Sequence, residues 1–453
     1  IKNSGMDFGG QFYLYVTTGS GFGATTGAII PLTDADAFTN TLRDLSAKEG
    51  LPFTMNTTNG MRHAVLGDGY GLIVWTDDRA LLLQKTSLFG DSEDLLEEAL
   101  ATFEHGCEDK LIDASHEFQD LLKQQHDAAM FLDYEKIAPL AGLLNPMVAQ
   151  AGLKDAQMAM GLDFKDGETN LDMTLFYGKD GSRYADVMDS DFDQDIMNGI
   201  CSPLPIAFMS VAMEMDNLYD LLDETGLAKE MEQELKSEGI ELQDLMEALS
   251  GDAGVVLNRL ELNTKNSYSY SKEPSPSFVG SLGIEDREEV EKALDAIVSH
   301  QGLSKRGNVY TIDKSEIVLI LEEDRLLVSN MTHAEALLAE EGMSDLPANL
   351  AKLARNYPTV MAIDMEHISE DLKEHLSKEL PRNKREEALR EFPILKMETY
   401  AEKPNDRMIK SNMRIVTVNP DENSLRTIIN YLDLLSNQQA KKKERESVTV
   451  TPL

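Results

Sequence analysis

The sequence predicts an α+β fold written twice in tandem, with antiparallel-rich sheets and helices packed on one face. Three observations carry this. The stretch "AAMFLDYEKI" (Ala128 to Ile137) has a near twin in "TVMAIDMEHI" (Thr359 to Ile368). Each twin is preceded by the same succession of short strand, capped helix and hairpin, and each is followed by another hairpin. Most apolar runs are short and bounded by turn residues, as antiparallel strands are.

The elements follow in order. "SGMDFGGQFYLYV" (Ser4 to Val16) ends in a strand and matches "LSGDAGVVLNRLEL" (Leu249 to Leu262) in position. Next, "AIIPLTDADAFTNTLRDLSAKEGL" (Ala28 to Leu51) parallels "GSLGIEDREEVEKALDAIVSHQGL" (Gly280 to Leu303) as strand and then helix. Thr33 and Asp36 fit an N-terminal capping pattern, and Glu285 and Asp286 place negative charge on the second helix dipole. Phe38, Leu42 and Leu45 in one copy and Val290, Leu294 and Ile297 in the other form the stripe expected to face a core. Gly50 and Gly302 stand where left-handed C-terminal caps are expected.

The hairpins "LIVWTDDRALLLQ" (Leu72 to Gln84) and "VLILEEDRLLVSN" (Val318 to Asn330) set two apolar strands around an acidic turn. Asp77-Asp78-Arg79 and Glu323-Asp324-Arg325 read as solvated tips rather than metal sites. Trp75 reads as core, with Leu321 in its place in the second copy. After a helical segment the twin stretches follow; both faces are apolar, so each reads as a buried strand. Asp133 and Asp364 fall where strand gives way to helix, the place of an N-cap oxygen. "AQMAMGLDFKDGETNLDMTLFY" (Ala156 to Tyr177) and "LKMETYAEKPNDRMIKSNMRIVTV" (Leu395 to Val418) then read as hairpins, the first turning at Asp166-Gly167.

Between the copies lies a block with no full counterpart near the N-terminus. It holds a strand in "IAFMSVAM", helical stretches over Asn217 to Gly239 and Leu242 to Leu249, and a strand in "AGVVLNRLEL". The expected organisation is therefore a first lobe at residues 1–199, incomplete at its N-terminus, a second lobe at 200–436 and a polar tail at 437–453. Roughly 40–60 residues of folded chain are expected upstream of Ile1, because an orphan sheet edge is a liability.

Composition narrows the function. The 453 residues carry 42 basic and 80 acidic side chains, a net charge of −38 spread along the chain. Such a surface repels nucleic acid, which needs a Lys/Arg stripe; "KKKER" (Lys441 to Arg445) sits alone in the tail. No apolar run reaches the roughly 18 residues of a membrane span. Cys107 and Cys201 form no CxxC pair, which removes zinc and thioredoxin chemistry; two separate thiols are expected.

No motif supplies catalytic, cofactor-binding or metal-ligating residues. Gly19, Gly21 and Ala24 match G-x-G-x-x-A, but a strand follows where a dinucleotide site needs a helix N-terminus. "DSDFDQD" (Asp189 to Asp195) has Gln194 and Ile200 where a calcium loop needs Gly and Glu. His367 and His375, two turns apart on an expected helix, read as surface, and the eight histidines show no H-E-x-x-H spacing. The methionines of "AFMSVAMEMD" and "AQMAMGLD" read as core fillers.

The two-copy pattern of "GAIIPLTDADAFTNTL", "DDRALLL" and "AAMFLDYEKI" resembles a family of exported Bacteroidota lipoproteins whose domain has no assigned function. The resemblance covers nearly the whole chain. It implies an acylated cysteine upstream of residue 1 and attachment to the outer membrane, facing periplasm or exterior; this chain carries no lipobox, and the family supplies no catalytic residues. The expected function is a non-enzymatic binding or scaffold lipoprotein for a protein partner in the envelope, since structure is duplicated without duplicated reactive groups. The alternative is a glycan- or peptide-processing hydrolase with paired carboxylates in an inter-lobe cleft. Capture of an apolar ligand in a Met-lined cavity is a third reading.

Overall fold

The computed structural model describes residues 4–7, 9–18, 24–49, 53–66, 71–85, 92–104, 115–133, 156–177, 182–263, 273–301, 303–312, 317–330, 334, 343–368, 392–405 and 407–432. The class is α+β, with helices and two large antiparallel sheets. The chain divides into two compact units, Ile1–Lys123 with Leu132–Lys154, and Gln124–Phe131 with Asp155–Leu453.

In the first unit, β1 (Tyr13–Thr18) and β2 (Ala24–Pro31) form a hairpin and lead into α1 (Ala35–Glu49). Two further hairpins follow, β3 (Met55–Thr58) with β4 (Met61–Leu66), and β5 (Gly71–Trp75) with β6 (Arg79–Lys85). The sheet order is β1-β2-β6-β5-β4-β3. Helices α2 (Ser92–Glu104) and α3 (His116–Lys123) come next.

Strand alternation sorts the apolar side chains of this sheet between two layers. Ile73, Trp75 and Ala80 pack against Phe38 of α1, while Leu72, Val74, Leu81 and Leu83 pack against Leu95 and Ala99 of α2. Helices thus cover both faces here, beyond the single helical face expected from the sequence. Trp75 is fully buried, as expected; its Nε1 donates to Thr39 Oγ1 at 3.2 Å, and Phe38 meets it edge-on at 6.1 Å.

The second unit holds a 13-stranded sheet. Its first strand is β7 (Ala128–Asp133), most of which belongs to this unit, followed by β8 (Gln157–Lys165) and β9 (Glu168–Phe176). After α4 (Ser182–Val187) come β10 (Ala207–Ala212), α5 (Met215–Thr225), α6 (Leu227–Ser237) and α7 (Leu242–Glu247). Then β11 (Leu249–Asn263) and β12 (Glu273–Ile284) pair, followed by α8 (Arg287–Gln301). The chain continues through β13 (Leu303–Arg306), β14 (Val309–Ile312), β15 (Ile317–Leu321), β16 (Arg325–Asn330), α9 (Ala348–Asn356), β17 (Thr359–Asp364), β18 (Ile394–Ala401) and β19 (Met408–Thr417). The sheet order is β13-β14-β15-β16-β12-β11-β10-β17-β18-β19-β9-β8-β7.

Two features of that order matter. The run β12-β16-β15-β14-β13 has the same succession as β2-β6-β5-β4-β3 of the other unit. The meanders β7–β9 and β17–β19 join through their last strands, with Asn412 opposite Asp172. A strand pairing across so many residues carries no local sequence signal, and the sequence reading did not include it.

The main core of this unit gathers Phe208, Val256, Val279, Ile320, Val360 and Ala362 on one face. Phe192, Ile196, Met197, Ile200 and Cys201 cover it from the 189–201 segment. On the other face Val290 and Leu294 of α8 pack against Tyr310 and Leu321. The Cys201 thiol is buried, and burial together with the Asp345 carboxylate pushes its pKa up to about 12. Its pairing with Cys107 falls outside the described residues, as do Gly50, Gly302 and the 437–453 tail.

Some local expectations change. The first helix is capped by Asp34, whose Oδ1 accepts from the N–H groups of Asp36 and Ala37 at 3.0 and 2.9 Å, and not by Thr33. Asp286 does the same for Glu288 and Glu289, at 2.9 and 3.1 Å. Leu45 is 55% exposed, so the buried stripe of α1 ends at half-buried Leu42. Met209 is exposed, and Met158, Met160, Met213 and Met215 are only half-buried; these methionines sit at the margins of the core rather than filling it. In β7, Ala128, Ala129 and Met130 are exposed, where a buried strand was expected.

Candidate functional site

The proline spacing in "SPLPIAF" (Ser202 to Phe208) builds one wall of a concavity. Pro203 and Pro205 lack N–H groups and hold the segment extended. It re-enters the sheet at Ile206, whose N–H donates to Leu257 O at 2.8 Å and whose carbonyl accepts from Asp364 N at 2.7 Å. Against it stand Pro347 and Leu350 at the start of α9, and Ala362, Ile363 and Asp364 at the end of β17. Together they line a cleft of about 340 Å³, at the small end of ligand-site sizes. Its floor includes Phe208, and Leu204 stands 62% exposed at its lip.

One wall is ionic. Lys396 on β18 meets Asp364 at 2.8 Å and Glu366 at 3.7 Å, and its pKa is raised chiefly by the Asp364 hydrogen bond. Asp364 also accepts from Glu366 N–H at 3.0 Å, capping the short 3-10 turn Met365–His367. The N-cap reading of Asp364 therefore describes what it does, although the turn is 3-10 and the following 369–391 lie outside the described residues. Glu398 lies 3.7 Å from Arg414, and His367 Nδ1 lies 3.2 Å from Pro205 O. Every ionisable side chain at this wall has a neighbour holding it.

A second constellation lies where β7, β8 and β9 meet. His126, Asp163 and Asp172 place one ligand atom each within 4.8 Å of one another. The His126 side chain is 6% exposed; Nδ1 is 3.1 Å from Asp163 Oδ2 and Nε2 is 2.8 Å from Gln124 Oε1. Asp172 accepts from the Asn412 side-chain amide. Gly161, opposite Asp172 in the β8–β9 register, leaves the space the imidazole fills; a Cβ there would overlap the ring. Both ring nitrogens are engaged, so the group works as a hydrogen-bonded clasp. The sequence reading missed it because its members are far apart and carry no spacing motif.

The remaining candidates resolve locally. Asp78 pairs with Arg79 at 2.9 Å in an exposed hairpin tip, and that hydrogen bond holds its pKa below the ordinary value. Glu323 and Asp324 are exposed too, while Arg325 turns inward and donates to the carbonyls of Ile196 and Asn198 at 2.9 and 2.8 Å. Within "DSDFDQD", Asp193 caps the 3-10 turn Gln194–Met197 and Phe192 is buried, so the segment is tucked onto the core. Asp252 Oδ1 accepts from Asp193 N–H at 3.0 Å, and burial pushes the Asp252 pKa upward. Gly19 and Gly21 lie outside the described residues, but Ala24 opens β2, a strand. His375 and residues 134–155 are outside them as well. Among the described residues no helix is long and apolar enough to cross a membrane.

Comparison with known proteins adds a family and little else. No curated protein matches the chain. One solved structure, described as "Structure of crystal form I of TP0453", aligns over 55% of this chain and 100% of its own at 9% identity, with a TM-score of 0.26. The sequence matches the family described as "Domain of unknown function (DUF4836)" over residues 2–445, nearly its whole length, and the chain belongs to that family.

Proposed function

We propose that this protein is a non-enzymatic binding or scaffold module of the cell envelope. In this reading it is a Bacteroidota lipoprotein, held at the outer membrane by a lipid anchor upstream of Ile1, and it holds a protein partner. The cleft between the Pro203–Ile206 segment, β17 and α9 is the contact site. The observation that carries this is the chemistry of its wall: an apolar cleft is left open while Asp364, Glu366, Lys396, Glu398 and His367 are all engaged by their neighbours. Such a surface suits an apolar side chain and leaves no group poised for proton transfer. With a chain charge of −38, the partner segment is expected to be apolar with basic flanks. The hydrolase reading draws no support from this cleft, because its carboxylates Asp364 and Glu398 are each tied to a cation.

The shared strand order and the matching caps at Asp34 and Asp286 support the further reading that residues 1–199 and 200–436 descend from one duplicated unit. A photo-reactive residue at Leu204, introduced in the native host, tests the binding reading. One discrete envelope protein should be trapped there and not by the same probe at exposed Lys236. Equal capture at both positions, or none, rejects it. Palmitate labelling of the precursor tests the anchor.

A further inference from the structure

The protons of the His126 ring are the starting point. The side chain is 6% exposed, with Nδ1 3.1 Å from Asp163 Oδ2 and Nε2 2.8 Å from Gln124 Oε1. Carboxylate and amide oxygens both accept, whereas a neutral imidazole has a single N–H to donate. The two contacts are made good together only when Nδ1 carries a cation, either a second proton or a metal ion.

The surroundings favour the metal ion. A proton on Nδ1 needs one acceptor, and Asp163 is enough. Yet Asp172, from the neighbouring strand β9, brings a third ligand atom within 4.8 Å of the other two. Each of the three groups is also held from outside by a protein partner. Asp163 Oδ1 accepts from the Asp127 backbone N–H at 3.3 Å, Asp172 Oδ1 accepts from the Asn412 side-chain amide, and Gln124 stands on Nε2. Outer partners of this kind orient the ligands of protein-bound metals. The frame is rigid as well: a Cβ on Gly161 would come within 2.2 Å of the ring, and Asp127 Oδ2 accepts from Phe164 N–H at 2.7 Å, fixing the approach to β7 against β8.

We propose that His126 Nδ1, Asp163 Oδ2 and Asp172 Oδ2 bind one divalent transition-metal ion of the Zn²⁺ type, with a fourth position left for water. One imidazole with two carboxylates is a Zn²⁺-like donor set, whereas Mg²⁺ and Ca²⁺ take oxygen ligands. Ligand atoms about 2.0–2.2 Å from a tetrahedral ion lie roughly 3.3 Å apart, so the 3.1 Å between Nδ1 and Oδ2 is close to coordination spacing. Exposed Asp172 swings in to complete the set. The ion takes the place of the proton on Nδ1, which passes to water, and it ties the approach to β7 to both β8 and β9. This inference is independent of the partner-binding reading.

Calorimetric titration of Zn²⁺ into the chelator-stripped 453-residue chain tests it. One ion per chain should bind, with proton release seen as a heat that depends on the buffer. Asp163→Asn and Asp172→Asn should each weaken binding by about tenfold or more, and Mg²⁺ should bind the parent more weakly than Zn²⁺ by a similar factor. His116→Ala, at the exposed His116–Asp120 pair of α3, should leave the affinity unchanged. Asp172 is exposed and its asparagine still accepts from Asn412, so this variant keeps the fold even if Asp163→Asn does not. Zn²⁺ should slow hydrogen exchange at the Asp127 and Phe164 amides of the parent and not of Asp172→Asn. No binding at millimolar Zn²⁺ would overturn the proposal and leave a second proton holding the ring. Full affinity in Asp172→Asn would also overturn it, as an adventitious ion only, and so would equal affinity for Mg²⁺ and Zn²⁺.

Discussion

Gly161 shows how one missing side chain organises its surroundings. The His126 ring occupies the space above its Cα, between Asp163 and Asp172, and both ring nitrogens are satisfied there. Gly161→Ala should destabilise the protein by about 1–3 kcal/mol, the usual range for overpacking. With His126→Ala already present, the same change should cost much less, and urea denaturation of the four members of that cycle measures the coupling. Asp252 illustrates a different residue-scale effect. Burial raises its pKa, so the folded protein disfavours its charged form, and its contribution to stability is full below the ordinary value of 3.8 and falls as pH rises through the folded value. Asp252→Asn retains an acceptor for Asp193 N–H and should raise the urea midpoint at pH 7. That gain should shrink as the pH approaches 3.8, and a gain independent of pH would contradict the assignment. Residue roles of this kind were legible where they depend on neighbours in sequence, as for Trp75 in the core and Asp364 at a cap. They were not legible for His126, whose partner Asp163 lies far along the chain, or for Arg325, whose acceptors are backbone carbonyls that any sequence supplies.

At the scale of elements, α1 and α8 share one start: an aspartate immediately before the helix, accepting from two N–H groups of the first turn. Asp34→Ala and Asp286→Ala should each cost about 1 kcal/mol, the typical loss of a cap. Similar losses in chemical denaturation are expected, and no effect at either site would contradict the cap geometry. The sequence shows that these helices begin here, because Thr, Asp and Glu cluster just before the apolar stripe. It does not single out the capping residue, since Thr33, Asp34 and Asp36 all carry an oxygen of suitable reach. The stripe itself reads correctly through Phe38 and Val290, both buried, and fails at Leu45, which is 55% exposed. Strands show the same limit. The apolar pattern of β17 predicts burial and burial is found; the same pattern in β7, the last strand of the sheet among the described residues, leaves Ala128–Met130 exposed, because burial depends on a neighbour that the strand's own sequence does not encode.

The sheet of the second unit is held together by pairings between distant segments. Hairpins such as β5–β6, β8–β9 and β15–β16 were readable from turn chemistry and alternation, and so was the α+β class. At the β8–β9 turn, Gly167 has φ +72°, its N–H donates to Glu422 O at 2.9 Å, and a Cβ there would lie 2.7 Å from Pro420 Cα. The Asp-Gly signal was thus accompanied by a close approach that only glycine allows. What no local pattern announces is that β9 and β19 are neighbours, which turns two meanders into one continuous 13-stranded sheet. That junction is the central claim, and it is directly measurable. In a background where Cys107 and Cys201 are replaced by serine, cysteines at Asp172 and Asn412 face each other across the ladder, within reach of a disulfide. Mild oxidation should join them in high yield, seen as one linked peptide pair by mass spectrometry, while cysteines at Asp172 and exposed Lys236 should stay unlinked. Two free thiols at 172 and 412 in the folded, oxidised protein would mean that the two meanders do not share a sheet.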